Sequence, residues 1–339
     1  MSAPTRNAGG RFVRLVRRTA ILCATVALAT CMDATDVELL QINATGSVAG
    51  EVYLDLNGTG QPDAGDQPLA GVRVVLSPLA GGAAVAEEET DAEGLFAFDE
   101  VPVGTYELDV AQEVLGDSLV AAGPRGRINV ALDEPAETVL GVSFPELTIE
   151  QVRDAAPGRR VFTTGIALNP RQPFSLGQVF LKGAGAYLQA TDVERDPEVV
   201  VGDSVRFLGR TGVRDGRPAL TDVAPLVLVR QAQVPSPVEI STGDAADADD
   251  GALDAALVRI RNANVVDGEM VGNDYHFTAD DGSGAVTVVL YSFLGFGVQP
   301  ETGDLVQVAT GMLAPHDDGS GTIGWRLLVR AAQELVVAP

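Results

Sequence analysis

Cysteine is almost missing: the two examples, Cys23 and Cys31, both stand in the first 31 of 339 residues. Everything after them therefore lacks disulfides, cysteine-held zinc and thiol nucleophiles. Lysine is scarcer still, with Lys182 alone among 23 basic residues. Histidine occurs only as His276 and His316, too few for a histidine-rich metal cluster. No phosphate-binding loop and no dinucleotide fingerprint is present. Apolar residues at the 3.6-residue helical spacing are hard to find after residue 40, which argues against a helical protein.

A Ser-His-Asp arrangement can be drawn on paper from His316 and the strings Asp280-Asp281-Gly282-Ser283-Gly284 and Asp317-Asp318-Gly319-Ser320-Gly321. Such strings between apolar strands are ordinary hairpin-turn chemistry. Gly282-Ser283-Gly284 also lacks the strand-to-helix setting of a nucleophile elbow. With 47 acidic residues, neighbouring carboxylates carry no information by themselves. The expectation is a protein that is not an enzyme and needs no small-molecule cofactor.

What is plentiful is glycine (38), proline (19), valine and threonine, in a chain that is 46% hydrophobic and 21% charged. This composition predicts a globular, all-β protein of short strands and turns. The net charge of −24 is uneven: residues 1–32 carry +5, 33–144 carry −18, 145–240 are neutral and 241–339 carry −11. Only the neutral stretch could present a basic face to a nucleic acid.

The first thirty residues read as a targeting peptide. Arg11, Arg14, Arg17 and Arg18 precede an apolar run from Thr19 to Thr30. That run is shorter than the roughly 20 residues needed to span a bilayer but suits a signal-peptide core. It ends in Leu28-Ala29-Thr30-Cys31, which resembles the lipobox of bacterial lipoproteins. The resemblance implies cleavage before Cys31, a diacylglycerol on its thiol, and a membrane as partner. Thr30 departs from the small residues usual there; an ordinary secretory signal would leave Cys31 free. Met32, where an Asp would retain the protein at the inner membrane, implies the outer membrane in a Gram-negative envelope. Residues 31–44 read as a linker.

The strand Val48–Leu54 leads into Asp55-Leu56-Asn57-Gly58-Thr59-Gly60-Gln61-Pro62-Asp63-Ala64-Gly65-Asp66. Asp55, Asn57, Thr59, Asp63 and Asp66 place oxygens at loop positions 1, 3, 5, 9 and 12, Gln61 offers its carbonyl at 7, and Gly60 sits at 6. This is the spacing of an EF-hand-like Ca2+ loop. Thr59 for Asp or Asn, and Asp66 for a bidentate Glu, weaken the set. The alternative is an acidic surface turn.

Further along stand Thr90-Asp91-Ala92-Glu93-Gly94-Leu95-Phe96-Ala97-Phe98 and Pro102-Val103-Gly104-Thr105-Tyr106-Glu107-Leu108-Asp109-Val110. In this order they resemble a Cna B-type (SdrD B-like) repeat, a prealbumin-like β-sandwich used as stalk and spacer in surface proteins. The resemblance spans residues 45–145 and puts the family's calcium loop at Asp55–Asp66. Some members carry a Lys-Asn isopeptide crosslink, which a segment without lysine cannot form.

Residues 146–339 read as one unit used twice, 146–234 and 235–339, joined by Val234-Pro235-Ser236-Pro237-Val238. Val201-Gly202-Asp203-Ser204-Val205 in the first copy corresponds to Thr302-Gly303-Asp304-Leu305-Val306 in the second. Five strands per copy predict two tandem OB-like β-barrels. The arrangement is similar to accessory domains preceding the catalytic part of secreted bacterial nucleases and phosphatases. The chain stops at Pro339, where such enzymes continue, so the resemblance implies an accessory module without its enzyme. Such barrels bind oligonucleotides or sugars on aromatics and a basic groove. The candidate ligand residues are Arg206, Arg210 and Tyr187, although the aromatics could equally fill a core and the arginines decorate the outside. The candidate partners are an envelope protein, a glycan or a single-stranded nucleic acid.

Overall fold

The computed structural model describes residues 44–339 except 124, 133, 173, 175, 176, 234, 318–322 and 339. The expected signal peptide, linker and Cys31 lie outside the described residues. Those described form one unit, all-β as the composition predicts.

The first ten elements are β1 (Thr45–Asp55), β2 (Gln67–Pro68), β3 (Arg73–Pro78), β4 (Ala86–Glu89), β5 (Leu95–Pro102), β6 (Gly104–Val110), α1 (Gln112–Leu115), β7 (Val120–Ala122), β8 (Gly126–Val130) and β9 (Ala136–Ser143). Two sheets result: β1 flanked by β2, β5 and β9, with β7 beyond β9, and a second in the order β4-β3-β6-β8. Alternation turns Val48 and Val52 of one sheet toward Val74, Leu76 and Leu108 of the other, all buried in one core. β1 and β9 run parallel, in register from Val48 against Ala136 to Asp55 against Ser143. Asp91 accepts the amides of Glu93 and Leu95, and Gly94 at φ 77° turns the chain into β5.

The next elements are α2 (Ile149–Asp154), β10 (Arg160–Ala167), β11 (Val179–Lys182), β12 (Tyr187–Ala190), β13 (Ser204–Arg214) and β14 (Arg217–Val229). The strands close a barrel in the order β10-β11-β12-β14-β13, with β12 and β14 parallel. Thr148 caps α2 through a reciprocal box with Gln151, and Ile149 and Val152 seal one end of the core.

Then come β15 (Val238–Glu239), α3 (Thr242–Asp247), β16 (Leu257–Val271), β17 (Asp274–Asp280), β18 (Ala285–Leu290), β19 (Leu305–Asp317), β20 (Ile323–Val329) and β21 (Leu335–Ala338). The order β16-β17-β18-β20-β19, with β16 also paired to β19, repeats the first ring, including its parallel third-to-fifth pairing. β15 and β21 extend it at β16 and β19. The shared Gly-Asp pair has a physical use in both rings. Asp203 accepts the Val200 amide at 3.1 Å, and Asp304 accepts that of Glu301 at 2.8 Å, each closing the turn into the fourth strand.

The two rings are packed together. Leu168, Phe174 and Phe180 of the first share a buried cluster with Leu257, Val289, Met312 and Leu328 of the second. Asp254, 2% exposed, also joins them: it accepts Arg153 at 3.0 Å and the Trp325 indole at 2.9 Å, and forms an ion pair with Arg217 at 3.5 Å. A buried carboxylate is retained only with such partners.

Candidate functional site

The loop from Asp55 to Asp66 is built around two carboxylates that hold its backbone. Asp55, fully buried at the end of β1, accepts the amides of Gly58 at 2.6 Å and Thr59 at 3.2 Å on one oxygen and Gly60 at 2.7 Å on the other. Asp66 accepts Leu56 at 3.1 Å and Asp63 at 2.9 Å. Asn57 donates to Asp63 at 2.5 Å, and that donor with the Gly65 amide holds the Asp63 carboxyl below its ordinary pKa. Burial raises the pKa of the Tyr53 phenol, and the charges of Asp55, Asp66 and Asp63 raise it further.

These residues leave free lone pairs on Asp55, Asp63 and Asp66, the oxygen chemistry that a hard cation takes. Among the described residues, however, no group of three or more His, Cys, Asp or Glu side chains is arranged to hold a metal. The fit to calcium is thus in the donor set and not in convergence: amide hydrogens occupy the positions a cation would compete for.

Arg206, on β13, reaches this same loop. Its guanidinium donates to the Gly58 carbonyl at 2.8 Å, pairs with Glu146 at 3.0 Å, and stacks 3.9 Å from the centre of the Phe162 ring. Gly58 has φ +69°, and a Cβ there would lie 2.3 Å from an Arg206 nitrogen. The residue expected to meet a ligand is therefore spent on the junction between sandwich and first ring. A second strap joins them where Arg159 donates to the Asp117 carbonyl at 2.7 Å.

Arg210 is half exposed and lies 4.0 Å from Asp222. Tyr187 belongs to the other junction: its carbonyl accepts Arg153 at 2.9 Å, and the residue packs on the core of the second ring and on the cluster shared by the two rings. Arg206 and Tyr187 thus belong to different junctions.

The Asp280–Gly284 string is a hairpin turn between β17 and β18. Asp281 accepts the Thr242 amide and hydroxyl at 3.1 and 2.8 Å and the Ser283 amide and hydroxyl at 3.0 and 2.5 Å. Those four donors outweigh burial and bring its pKa down to about 2. Ser283 thus serves the N-terminus of α3, not a histidine.

Both histidines stand instead on the outside of the second ring. A cleft of about 640 Å³ there is lined by His276, His316, Thr278, Thr287, Arg326, Asp267 and Glu269. His276 has a lowered pKa, chiefly through burial and next through Arg326, which favours the neutral ring. Reading the chain missed this gathering, because it depends on cross-strand register. The period-2 alternation of β17 and β18 was its only sequence signal.

With this geometry in hand, comparison with known proteins is informative for one part of the chain. Residues 46–129 match the model of the SdrD B-like domain family. The match runs from β1 into β8 of the two-sheet sandwich, stops before β9, and includes the loop. No curated protein matches the chain. Among solved structures, a minor pilin of Streptococcus agalactiae is similar at 16% identity and a TM-score of 0.25, over 30% of this chain and 45% of its own. The chain thus spans less than half of that pilin's length. A shaft pilin of Lactobacillus rhamnosus GG is similar at 12% identity and a TM-score of 0.24, over 57% of this chain and 99% of its own. A murine DNA-binding protein bound to double-stranded DNA is similar at 10% identity and a TM-score of 0.28, over 54% and 98%. At such scores these likenesses bear on neither function nor partner.

Proposed function

We propose that this chain is an exported, non-catalytic surface module, tethered to the cell envelope through lipid on Cys31, in which the SdrD B-like sandwich is a calcium-stiffened spacer carrying two OB-type barrels. The observation that carries the spacer reading is the pair of built junctions. Arg206 ties the calcium-type loop to the first barrel, and buried Asp254 ties the barrels together. A chain of modules welded in this way transmits position, which is the work of a stalk. The strand order repeated in both rings supports the OB-type reading. Calcium would be held by Asp55, Asn57, Thr59, Asp63, Asp66 and the Gln61 carbonyl, where it would supply charge neutralisation.

The test is a melting experiment on the purified chain in EDTA and in millimolar calcium. Binding to the folded state alone adds about 2.7 kcal/mol at a hundredfold excess over Kd. We expect a higher melting temperature in calcium, absent in Asp55→Asn. Equal melting curves, with no heat of calcium binding by calorimetry, would remove the cation from the reading.

A further inference from the structure

A second cleft, of about 300 Å³, lies between the two rings, and its lining has His316 and Arg326 in common with the cleft on the second ring. Register explains the shared lining. Thr278, Thr287 and Arg326 pair across β17, β18 and β20 in one row. Their chain neighbours Phe277, Val286, Val288 and Leu327 are buried in the core, so this row faces outward. The inter-ring part adds the amides of Gln178 and Gln189 and the ring of Tyr291. Outside both linings, Phe293 is 62% exposed, with its ring centre 5.6 Å from that of Tyr291.

Charge decides which ligand class this groove suits. Asp267, Glu269, Asp192 and Asp215 line it against two cations, Arg214 and Arg326. Excess negative charge, on a chain of net charge −24, opposes a phosphate backbone or any other polyanion. What remains is a row of hydroxyls, amides and imidazoles that both donate and accept hydrogen bonds, beside an aromatic wall. A sugar ring presents the complement: hydroxyls that donate and accept around its edge, and an apolar face of C–H groups. Each of the two volumes lies in the range of built small-molecule sites.

From this we infer that the groove across β17, β18 and β20, continued between the two rings, binds a neutral oligosaccharide. Thr278 and Thr287 hydrogen-bond its hydroxyls, His276 accepts or donates as the neutral ring allows, and Tyr291 with Phe293 stacks on a sugar face. The site adds a ligand to the surface module proposed above and makes no use of the calcium loop or the lipid.

The experiment is a titration of the full chain with cellohexaose, chitohexaose and maltohexaose, and separately with a 20-nucleotide thymidine oligomer. It is followed by calorimetry and by the fluorescence of Trp325, the sole tryptophan and the chain neighbour of Arg326. At least one hexasaccharide should bind, at least tenfold more weakly in the Thr278→Val/Thr287→Val double variant and in Phe293→Ala. Both variants should melt as the parent does; Phe293, being exposed, separates lost recognition from lost folding. Silence with all three sugars, binding of the thymidine oligomer alone, or sugar binding that both variants retain would each overturn the inference. None of these outcomes depends on calcium, so the two proposals fail separately.

Discussion

Arg206 illustrates how one side chain changes meaning between sequence and structure. Read along the chain it is a cation beside aromatics, the usual mark of a ligand face. In the fold it holds the Gly58 carbonyl, the Glu146 carboxylate and the Phe162 ring together. Arg206→Ala should therefore cost about 1–3 kcal/mol, the range for a charge-assisted hydrogen bond plus a stacking contact. Gly58→Ala should resemble it, because the new methyl group meets the guanidinium and the backbone sits at positive φ. Small-angle scattering should show both variants with a broader distribution of sandwich-to-barrel distances. A melting temperature and scattering curve identical to the parent's would contradict the clamp.

At the scale of elements, the joint around Asp254 binds four pieces of chain: α2 through Arg153, β14 through Arg217, β20 through Trp325, and the segment entering β16. Asp254→Ala removes the carboxylate paired with two guanidiniums that are mostly shielded from solvent. Breaking one side of a buried ionic pair typically costs about 3–5 kcal/mol. Denaturant unfolding should show that loss, and Arg153→Met should show a smaller one, since Arg217 stays paired. Elements also set the limit of what could be read in advance. The strands of the sandwich core, the Asp91 turn and the Asp280–Gly284 hairpin were legible because alternation and turn chemistry are local. The short edge strand β4, with sequence Ala-Glu-Glu-Glu and three exposed positions, has no apolar face to reveal it. α2 and α3 are six residues each, below the length at which periodicity speaks, though Thr148 and Ser241 are ordinary capping residues. The residues of the cleft on the second ring, from Asp267 to Arg326, are separated by up to 59 positions in sequence and meet only through register.

For the whole molecule, the reading predicts where the protein is found. In bacteria expressing the full chain, Cys31→Ala should move it from the membrane pellet to the soluble exported fraction, and should end incorporation of labelled fatty acid. A parent protein already soluble would leave the spacer reading in place but without its anchor. Among the described residues no helix is long and apolar enough to cross a membrane.

The parallel pairing of β1 with β9 has a mechanical consequence. The chain enters the sandwich at Thr45, the start of β1, and leaves it past Ser143, the end of β9. A pull between those points drags the two strands in opposite directions along their own axes. Every rung from Val48–Ala136 to Asp55–Ser143 then carries load at once, instead of parting one at a time as in an unzipped hairpin. The sandwich is strung to resist tension along the one line on which a tethered spacer feels it.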